Sequence, residues 1–254
     1  ASSGTDLNGM AALDAANQIK ERLIKFAATN WNVKESEIKF SSNLVHIREK
    51  TIPFNEFIKM AYMQRTQLSA TGFYKTPDIY WDRTAGKGNP FYYYAYGAAC
   101  TEVSIDTLTG EYRIERTDIL HDVGRSLNPI LDKGQIEGAF IQGMGWLTSE
   151  ELWWNESGEL KTHAPSTYKI PLASDIPREF NVKLADWSEN RQLTIKRSKA
   201  VGEPPFMLGI SVLESLSMAV ASINDYRICP RLDTPATPER VLLAVENMKK
   251  QKNL

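Results

Sequence analysis

The segment 201–205, VGEPP, holds the residue best suited to acid–base chemistry. Its glycine permits a tight turn or a close backbone approach, and its two prolines fix the chain as it enters a predicted helix. Glu203 is therefore held at a helix N-terminus, where the helix dipole favours the ionised carboxylate that a general base needs. Acidic residues are also common caps in a first helical turn, and the spacing alone favours that structural role.

A second candidate is the glycine-punctuated stretch 134–145, which contains Gln135 and Gln142. An amide both donates and accepts hydrogen bonds, so such a glutamine can bind a heteroaromatic ligand or an oxo group. The stretch lacks the Lys-Ser/Thr pair of a phosphate-binding loop, and GMGWLT departs from the dinucleotide-binding pattern at its last glycine. The alternative is that its small residues let a helix pack closely against a neighbour.

The first five residues, ASSGT, are the third candidate. Their N–H groups and hydroxyls are suited to a nest that binds an anion. They are equally suited to capping the helix that follows. Residue types and spacing do not separate these two interpretations.

Other kinds of site lack support in the sequence. The three histidines, His46, His121 and His163, lie far apart without paired ligand spacing, so we expect no metal bound by protein side chains. No G-x-S-x-G motif of a serine hydrolase is present. Cys100 lies within a strand pattern, where we expect a buried side chain and not a nucleophile.

Composition bounds the class of protein. Of the 254 residues, 42% are hydrophobic and 24% are charged, which is typical of a globular chain. The net charge of −1 gives no strong attraction to nucleic acid or anionic lipid, and no apolar run approaches the roughly 18 residues of a spanning helix. We therefore expect a cytoplasmic protein without nucleic-acid or membrane partners. The N-terminus has neither an initiator Met nor a targeting signal, so we expect a piece of something larger.

Helices and hairpins must position the candidate residues. In the first half, apolar residues from Ala12 to Phe26 recur at helical spacing and predict a first helix, and residues 54–68 predict a second. We expect irregular polar chain over 31–50 and a loop over 72–90. Residues 91–122 are rich in aromatic and β-branched residues around the turn DTLTG, which predicts a hairpin.

The second half adds a helix over the glycine-rich stretch, strands near 168–170, 179–184 and 194–198, and a helix around Leu216. A short helix after Pro238 and a polar tail over about 241–254 complete the chain. This combination predicts an α+β fold, in which mixed antiparallel hairpins pack with helices, in one domain over 1–254.

Six motifs follow one another along the chain: ASSGTDLNGMAA (1–12), SATGFYKTP (69–77), TDILHDVGRSLNP (117–129), GQIEGAFIQGMG (134–145), PSTYKIP (165–171) and KAVGEPP (199–205). In this order they resemble the C-terminal part of the molybdopterin-binding region of the molybdenum hydroxylase family. The resemblance covers nearly the whole chain, and SATGFYKTP and PSTYKIP favour the xanthine dehydrogenase branch over the aldehyde oxidases. It implies a molybdenum-cofactor-binding domain of the xanthine dehydrogenase/aldehyde oxidase type.

The resemblance implies a role for each candidate. Glu203 matches the family's general base, which takes a proton from a molybdenum-bound hydroxyl as it attacks a purine carbon, with water as the oxygen source. Gln135 matches a glutamine that binds molybdopterin, and Ala1, Ser2 and Gly4 match positions that hold this cofactor. The implied reaction oxidises hypoxanthine and xanthine to urate. The cofactor, not protein side chains, holds the metal.

The resemblance also implies partners. The family's second carboxylate, its substrate-orienting arginine and part of the cofactor cradle lie upstream of Ala1, so we expect the domain to be inactive alone. [2Fe–2S] clusters and FAD are expected on partner domains or subunits, with NAD as electron acceptor, in a higher oligomer. Two alternatives stay open: an aldehyde or other N-heterocycle hydroxylase of the same family, and an isolated scaffold that binds no cofactor.

Overall fold

A computed structural model describes residues 2–252, so Ala1 lies outside the described residues. The chain divides into two compact units, which are described separately. The small unit comprises residues 3–92, and the large unit comprises Ser2 together with the residues from Tyr93 onward. The chain thus leaves the large unit after Ser2 and returns to it at Tyr93.

The small unit is built on a long helix and an antiparallel sheet. Its elements are a π-helical turn (Gly4–Gly9), α1 (Met10–Trp31), β1 (Ile38–Ser41), β2 (Leu44–Ile47), β3 (Lys50–Pro53), α2 (Phe54–Met63), β4 (Tyr80–Asp82) and β5 (Lys87–Asn89). Strands β1, β2 and β3 form one sheet in that order, and β4 pairs with β5. Leu23 of α1 and Phe57 of α2 pack with Val45 and Ile52 of the sheet in a buried core.

The structure confirms the first helix and corrects the chain that follows it. Strands β1 and β2 lie within the region 31–50, where we expected irregular chain, and β3 begins at its last residue. Each has only four residues, too few to show a clear alternation of apolar and polar side chains. The second helix ends at Met63, five residues earlier than predicted.

The large unit combines one sheet with three helices. Its elements are β6 (Gly97–Ile105), β7 (Tyr112–His121), α3 (Pro129–Thr148), β8 (Glu179–Leu184), α4 (Ile210–Ala221) and α5 (Pro238–Lys252). The strands lie in the order β6-β7-β8. Phe140 of α3 and Leu216 of α4 are fully buried in the core between helices and sheet. The α+β class is confirmed.

The hairpin predicted over 91–122 is confirmed as β6 and β7, but β8 pairs with β7 in parallel and not within a hairpin. No strand forms at 168–170. A 3₁₀ turn at Ile195–Arg197 stands where the last strand was predicted, and Ser198 forms a single bridge with Gly124. Cys100 is exposed, contrary to expectation, because side chains alternate along β6 and the odd-numbered Ala99, Val103 and Ile105 are the ones that pack on the core.

The C-terminal segment is also corrected. Residues 241–252 belong to α5 and not to a polar tail. Val241, Ala244, Val245 and Met248 recur at helical spacing and are buried in the core of the large unit. The lysines that suggested a tail lie on the remaining faces of the helix.

One stretch corrects the expectation that nothing in the chain is apolar and long enough to cross a membrane. Pro204–Asn224 passes that test by length and composition, with a mean hydropathy of 1.8. Val212, Leu216 and Val220 of this stretch are buried in the core. Only 28% of the apolar 18-residue window is buried, so packing within the large unit accounts for part of its apolar composition and not for all of it.

Candidate functional site

The helix that carries Gln135 has a firm start. Asn128 caps α3 by accepting hydrogen bonds from the N–H groups of Ile130 (3.2 Å) and Leu131 (3.3 Å), and Pro129 occupies the first turn. Gln135 follows two turns later with an exposed side chain. The cap therefore determines where α3 begins, and with it the position of Gln135 on the helix.

Glu203 immediately precedes a 3₁₀ turn, Pro204–Gly209, which continues into α4. Its carboxylate makes no capping hydrogen bond to this turn, so the capping role that spacing favours is not what the structure shows. Oε2 instead accepts a hydrogen bond of 3.1 Å from the backbone N–H of Ser2. Oε1 accepts no hydrogen bond from any residue in the described part of the chain. The carboxylate is thus oriented through one oxygen, and its other oxygen has no partner among the described residues.

Gly202 brings three predicted site residues together. A Cβ at this position would collide with Ser2 Oγ and would lie 3.4 Å from Gln135 Nε2. The hydroxyl and the amide therefore flank the backbone of the residue beside Glu203. This close approach requires glycine because any side chain would displace one of the two polar groups.

Glycines also join α3 to the turn that follows Glu203. A Cβ at Gly143 would collide with the carbonyl oxygen of Phe206, and one at Gly209 would lie 2.6 Å from the Gly143 carbonyl carbon. The rings of Trp146 and Phe206 pack edge to face with centroids 4.3 Å apart. The close-packing interpretation of the glycine-rich stretch is therefore correct at Gly143.

A buried ion pair lies just upstream of Glu203. Lys199 Nζ lies 2.5 Å from Asp122 Oδ2 and also donates to the carbonyl of Tyr94 (2.9 Å). Burial by itself raises the pKa of the Asp122 carboxyl. Hydrogen bonds from Lys199, the Gly124 N–H and Ser188 outweigh burial and hold this pKa below its usual range.

His121 is the other titratable group buried here. Its Nδ1 has no hydrogen-bond partner among residues 2–252, and its ring lies against Gly97. Burial lowers the pKa of His121, and the nearby carboxylate of Asp122 offsets only part of that effect. The fold therefore disfavours the protonated imidazole.

Sequence reasoning missed Asp122 and Lys199 as members of this region. Both lie within quoted motifs, TDILHDVGRSLNP and KAVGEPP, but 77 positions separate them. Nothing in the local pattern of either motif indicates that the two side chains pair. Only the packing of the chain after β7 against the segment before Glu203 reveals it.

Of the five predicted site residues, the structure brings together Ser2, Gln135 and Glu203. Ala1 lies outside the described residues. Gly4 begins the π-helical turn of the small unit, and a Cβ there would meet no atom within 4 Å. The roles assigned to all five stay predictions.

The chemistry of the donor set is that of a polar organic ligand. It consists of a hydroxyl, an amide and a carboxylate, each able to hydrogen-bond heteroatoms. Within residues 2–252, no three His, Cys, Asp or Glu side chains cluster closely enough to hold a metal ion.

Comparison with known proteins shows the family to which the chain belongs. The sequence profile of the molybdopterin cofactor-binding domain matches residues 1–177. Xanthine dehydrogenase from Oryza sativa subsp. japonica is 44% identical over 96% of this chain and 17% of its own length. Xanthine dehydrogenase/oxidase from Gallus gallus is 45% identical over 95% of this chain and 16% of its own. The chain thus spans about a sixth of the length of these relatives.

Solved structures share the fold. Quinoline 2-oxidoreductase from Pseudomonas putida 86 aligns with a TM-score of 0.78 at 22% identity, over 97% of this chain and 30% of that one. The Cu,Mo-CO dehydrogenase aligns with a TM-score of 0.77 at 20% identity over the same shares. At this level of identity the likeness establishes the fold alone.

Proposed function

The chain belongs to the family of molybdopterin cofactor-binding domains, and from that premise we propose that it forms one wall of the active site of a xanthine-oxidising molybdenum hydroxylase. The observation that carries the proposal is the meeting of Ser2, Gln135 and Glu203 around Gly202. Identity above 40% to xanthine dehydrogenases over almost the entire chain supports this branch of the family.

The residues present fit the cofactor. Gln135 and Ser2 offer an amide and a hydroxyl, which match the ring nitrogens, carbonyl and phosphate oxygens of a pterin by donating and accepting hydrogen bonds. Gly202 lets the backbone approach these groups closely. When bound, molybdopterin supplies a redox-active molybdenum held by its own sulfur atoms, so the chain need supply no metal ligand.

Glu203 is the proton acceptor in this proposal. The Ser2 N–H holds Oε2 in place, which leaves Oε1 to take the proton that the oxygen nucleophile loses as it attacks the purine. A positioned base of this kind contributes about 10²–10⁴-fold to the rate. The two prolines after Glu203 limit the backbone motion that would misplace the carboxylate.

The remaining parts of the reaction are assigned to the rest of the enzyme. We propose that partner regions carry the upstream part of the cofactor site, the [2Fe–2S] clusters and FAD, and pass electrons to NAD. The small share of its relatives' length that the chain spans supports a division of this kind.

The test is made on the full enzyme that contains this chain. Molybdenum per chain is measured by mass spectrometry beside xanthine-dependent NAD reduction, for the wild type, Glu203→Gln and the control Glu214→Gln. Glu214 lies on α4 with an exposed side chain and provides the same change of charge. We expect Glu203→Gln to keep its molybdenum and lose more than about 100-fold in turnover. Unchanged turnover in Glu203→Gln would refute the assignment of the base.

A substrate panel separates purine oxidation from the related chemistry. The same enzyme is assayed with xanthine, hypoxanthine, an aromatic aldehyde and a quinoline. Preference for an aldehyde or a non-purine heterocycle would replace the purine assignment but keep the molybdenum hydroxylase. A full-length protein without molybdenum and without activity towards any of them would instead favour a scaffold role.

A further inference from the structure

Lys199, four residues before Glu203, forms a buried ion pair with Asp122. We propose that this pair is a positioning device that sets the place of the Glu203 carboxylate, so that Asp122 and Lys199 act on turnover without touching the substrate. This inference rests on the proposed function, because it gives Glu203 the part of the base.

The pair is built to hold one geometry. The side chains of Lys199 and Asp122 are only 8% and 10% exposed. Lys199 Nζ contacts Asp122 Oδ2, donates to the Tyr94 carbonyl, and lies 5.3 Å from the centre of the Tyr96 ring. Three different partners therefore fix the ammonium group.

Asp122 is fixed equally well from its other side. Oδ1 accepts hydrogen bonds from the Gly124 N–H at 2.7 Å and from Ser188 Oγ at 2.8 Å. The carboxylate thus ties the end of β7 to the chain after β8 as well as to Lys199. It cannot shift without breaking several charge-assisted hydrogen bonds at once.

The backbone beside Lys199 is held too. The Lys199 N–H donates to the carbonyl of Val123 at 2.8 Å, and the Ala200 N–H donates to the hydroxyl of Tyr93 at 2.7 Å. Two consecutive residues are therefore anchored by their backbones. Only Val201 and Gly202 separate this anchor from Glu203.

The backbone between Lys199 and Glu203 has little freedom to move. Gly202 is wedged against the Ser2 side chain, and Pro204 and Pro205 restrict the chain beyond Glu203. A displacement at Lys199 is consequently passed to the Glu203 carboxylate. Replacing a buried ion pair with uncharged side chains often leaves the free energy of unfolding unchanged or raises it. A contribution to the stability of the fold is therefore a weak explanation for this pair.

The experiment uses the full enzyme and removes both charges together, in Asp122→Asn/Lys199→Met, so that no unpaired charge is left buried. Tyr93→Phe is the second variant, which removes the hydroxyl that anchors Ala200 and leaves the ion pair intact. The control Glu151→Gln/Arg240→Met removes another ion pair of the large unit, whose side chains are about one-third exposed and 2.7 Å apart.

Three quantities are measured for each variant: molybdenum per chain, kcat and KM for xanthine, and hydrogen exchange in a peptide covering 199–205. We expect the double variant to keep its molybdenum and its KM while kcat per molybdenum falls about 10–100-fold, the effect of misplacing a reacting group by about an ångström. Exchange over 199–205 is expected to rise in both anchor variants, with a smaller fall of kcat in Tyr93→Phe. The control should match the wild type in all three.

The outcomes separate the two proposals. If kcat and exchange over 199–205 stay at wild-type values in both anchor variants while Glu203→Gln loses turnover, the positioning role is wrong and the proposed function stands. If Glu203→Gln retains turnover, the base assignment itself fails. If the double variant does not fold, Tyr93→Phe decides: wild-type kcat and exchange there overturn the positioning role.

Discussion

The backbone N–H of Ser2 donates a hydrogen bond of 3.1 Å to Oε2 of Glu203, across 201 positions of sequence. This bond defines the direction of the carboxylate, because the glutamate makes no capping bond to its own helical turn. Oε2 is fixed by this bond, and Oε1 accepts no hydrogen bond from residues 2–252. A proton acceptor that must stay in place needs one oxygen held and the other accessible, which is the role that we propose for Glu203.

Shortening the side chain should break this arrangement. In Glu203→Asp the charge is kept but the carboxylate is withdrawn by one methylene, so it cannot both meet the Ser2 N–H and reach the substrate. We expect kcat of the full enzyme to fall about 10²-fold or more with molybdenum content unchanged. Steady-state kinetics with metal analysis measures both. Near-normal kcat would mean that the place of the carboxylate is not critical.

The glycines of α3 provide a matched pair of substitutions. Gly143→Ala drives a Cβ into the Phe206 carbonyl, whereas a Cβ at Gly138 meets no atom within 4 Å. We expect Gly143→Ala to destabilise by about 1–3 kcal/mol and to lower turnover by shifting the turn after Glu203. Gly138→Ala should instead stabilise by about 0.5–1 kcal/mol through its helix propensity, with turnover unchanged.

Thermal unfolding and kcat of the two glycine variants are compared side by side. Equal effects of the two substitutions would contradict the close contact between α3 and the Pro204–Gly209 turn.

A methyl group at Gly202 tests the approach of Ser2. In Gly202→Ala the new Cβ collides with the Ser2 hydroxyl, a mobile group, and lies near the Gln135 amide. We therefore expect a small loss of stability, below about 1.5 kcal/mol, but a clear loss of molybdenum per chain. Adding Ser2→Gly removes the collision and should restore the melting temperature. Normal metal content in Gly202→Ala would separate this contact from cofactor binding.

The buried His121 predicts an acid-sensitive stability. Burial lowers its pKa in the folded state, so below about pH 6.5 the unfolded chain binds a proton that the folded chain does not. Stability must then fall as the pH falls, by up to about 1.4 kcal/mol per pH unit from this group.

Melting temperatures between about pH 7 and about pH 5 test this, because His121→Leu should flatten the curve across the window in which the imidazole titrates. The same substitution at the exposed His163 serves as control. Parallel curves for wild type and His121→Leu would count against a lowered pKa of the buried imidazole.

Long elements with strong patterns could be predicted from the sequence. The helical spacing around Leu23 and Leu216 predicted two helices that the structure contains. The turn DTLTG predicted the hairpin of β6 and β7, which is also present. The short strands β1, β2 and β3 could not be predicted, because four residues carry little periodicity. The parallel pairing of β8 was missed because it depends on a partner far away in sequence.

The candidate site, like the fold, could be predicted only in part from the sequence. Gln135 and Glu203 stand in motifs whose residue types suggest chemistry, and the structure places both beside Gly202 and Ser2. The ion pair of Asp122 and Lys199 was not predictable, since it links two segments only through tertiary packing. Local patterns thus indicate which groups carry chemistry, and the fold supplies the groups that hold them.

The distance in sequence between Ser2 and Glu203 also bears on biosynthesis. Contacts between remote positions form late, because a long loop must close before they contribute any stability. Of Ser2, Gln135 and Glu203, Ser2 is synthesised first. It can contact the other two only after they have been synthesised as well. In the proposed function, a cofactor that contacts all three residues can be fully held only after Glu203 has been synthesised, so its loading follows synthesis of this segment and does not guide it.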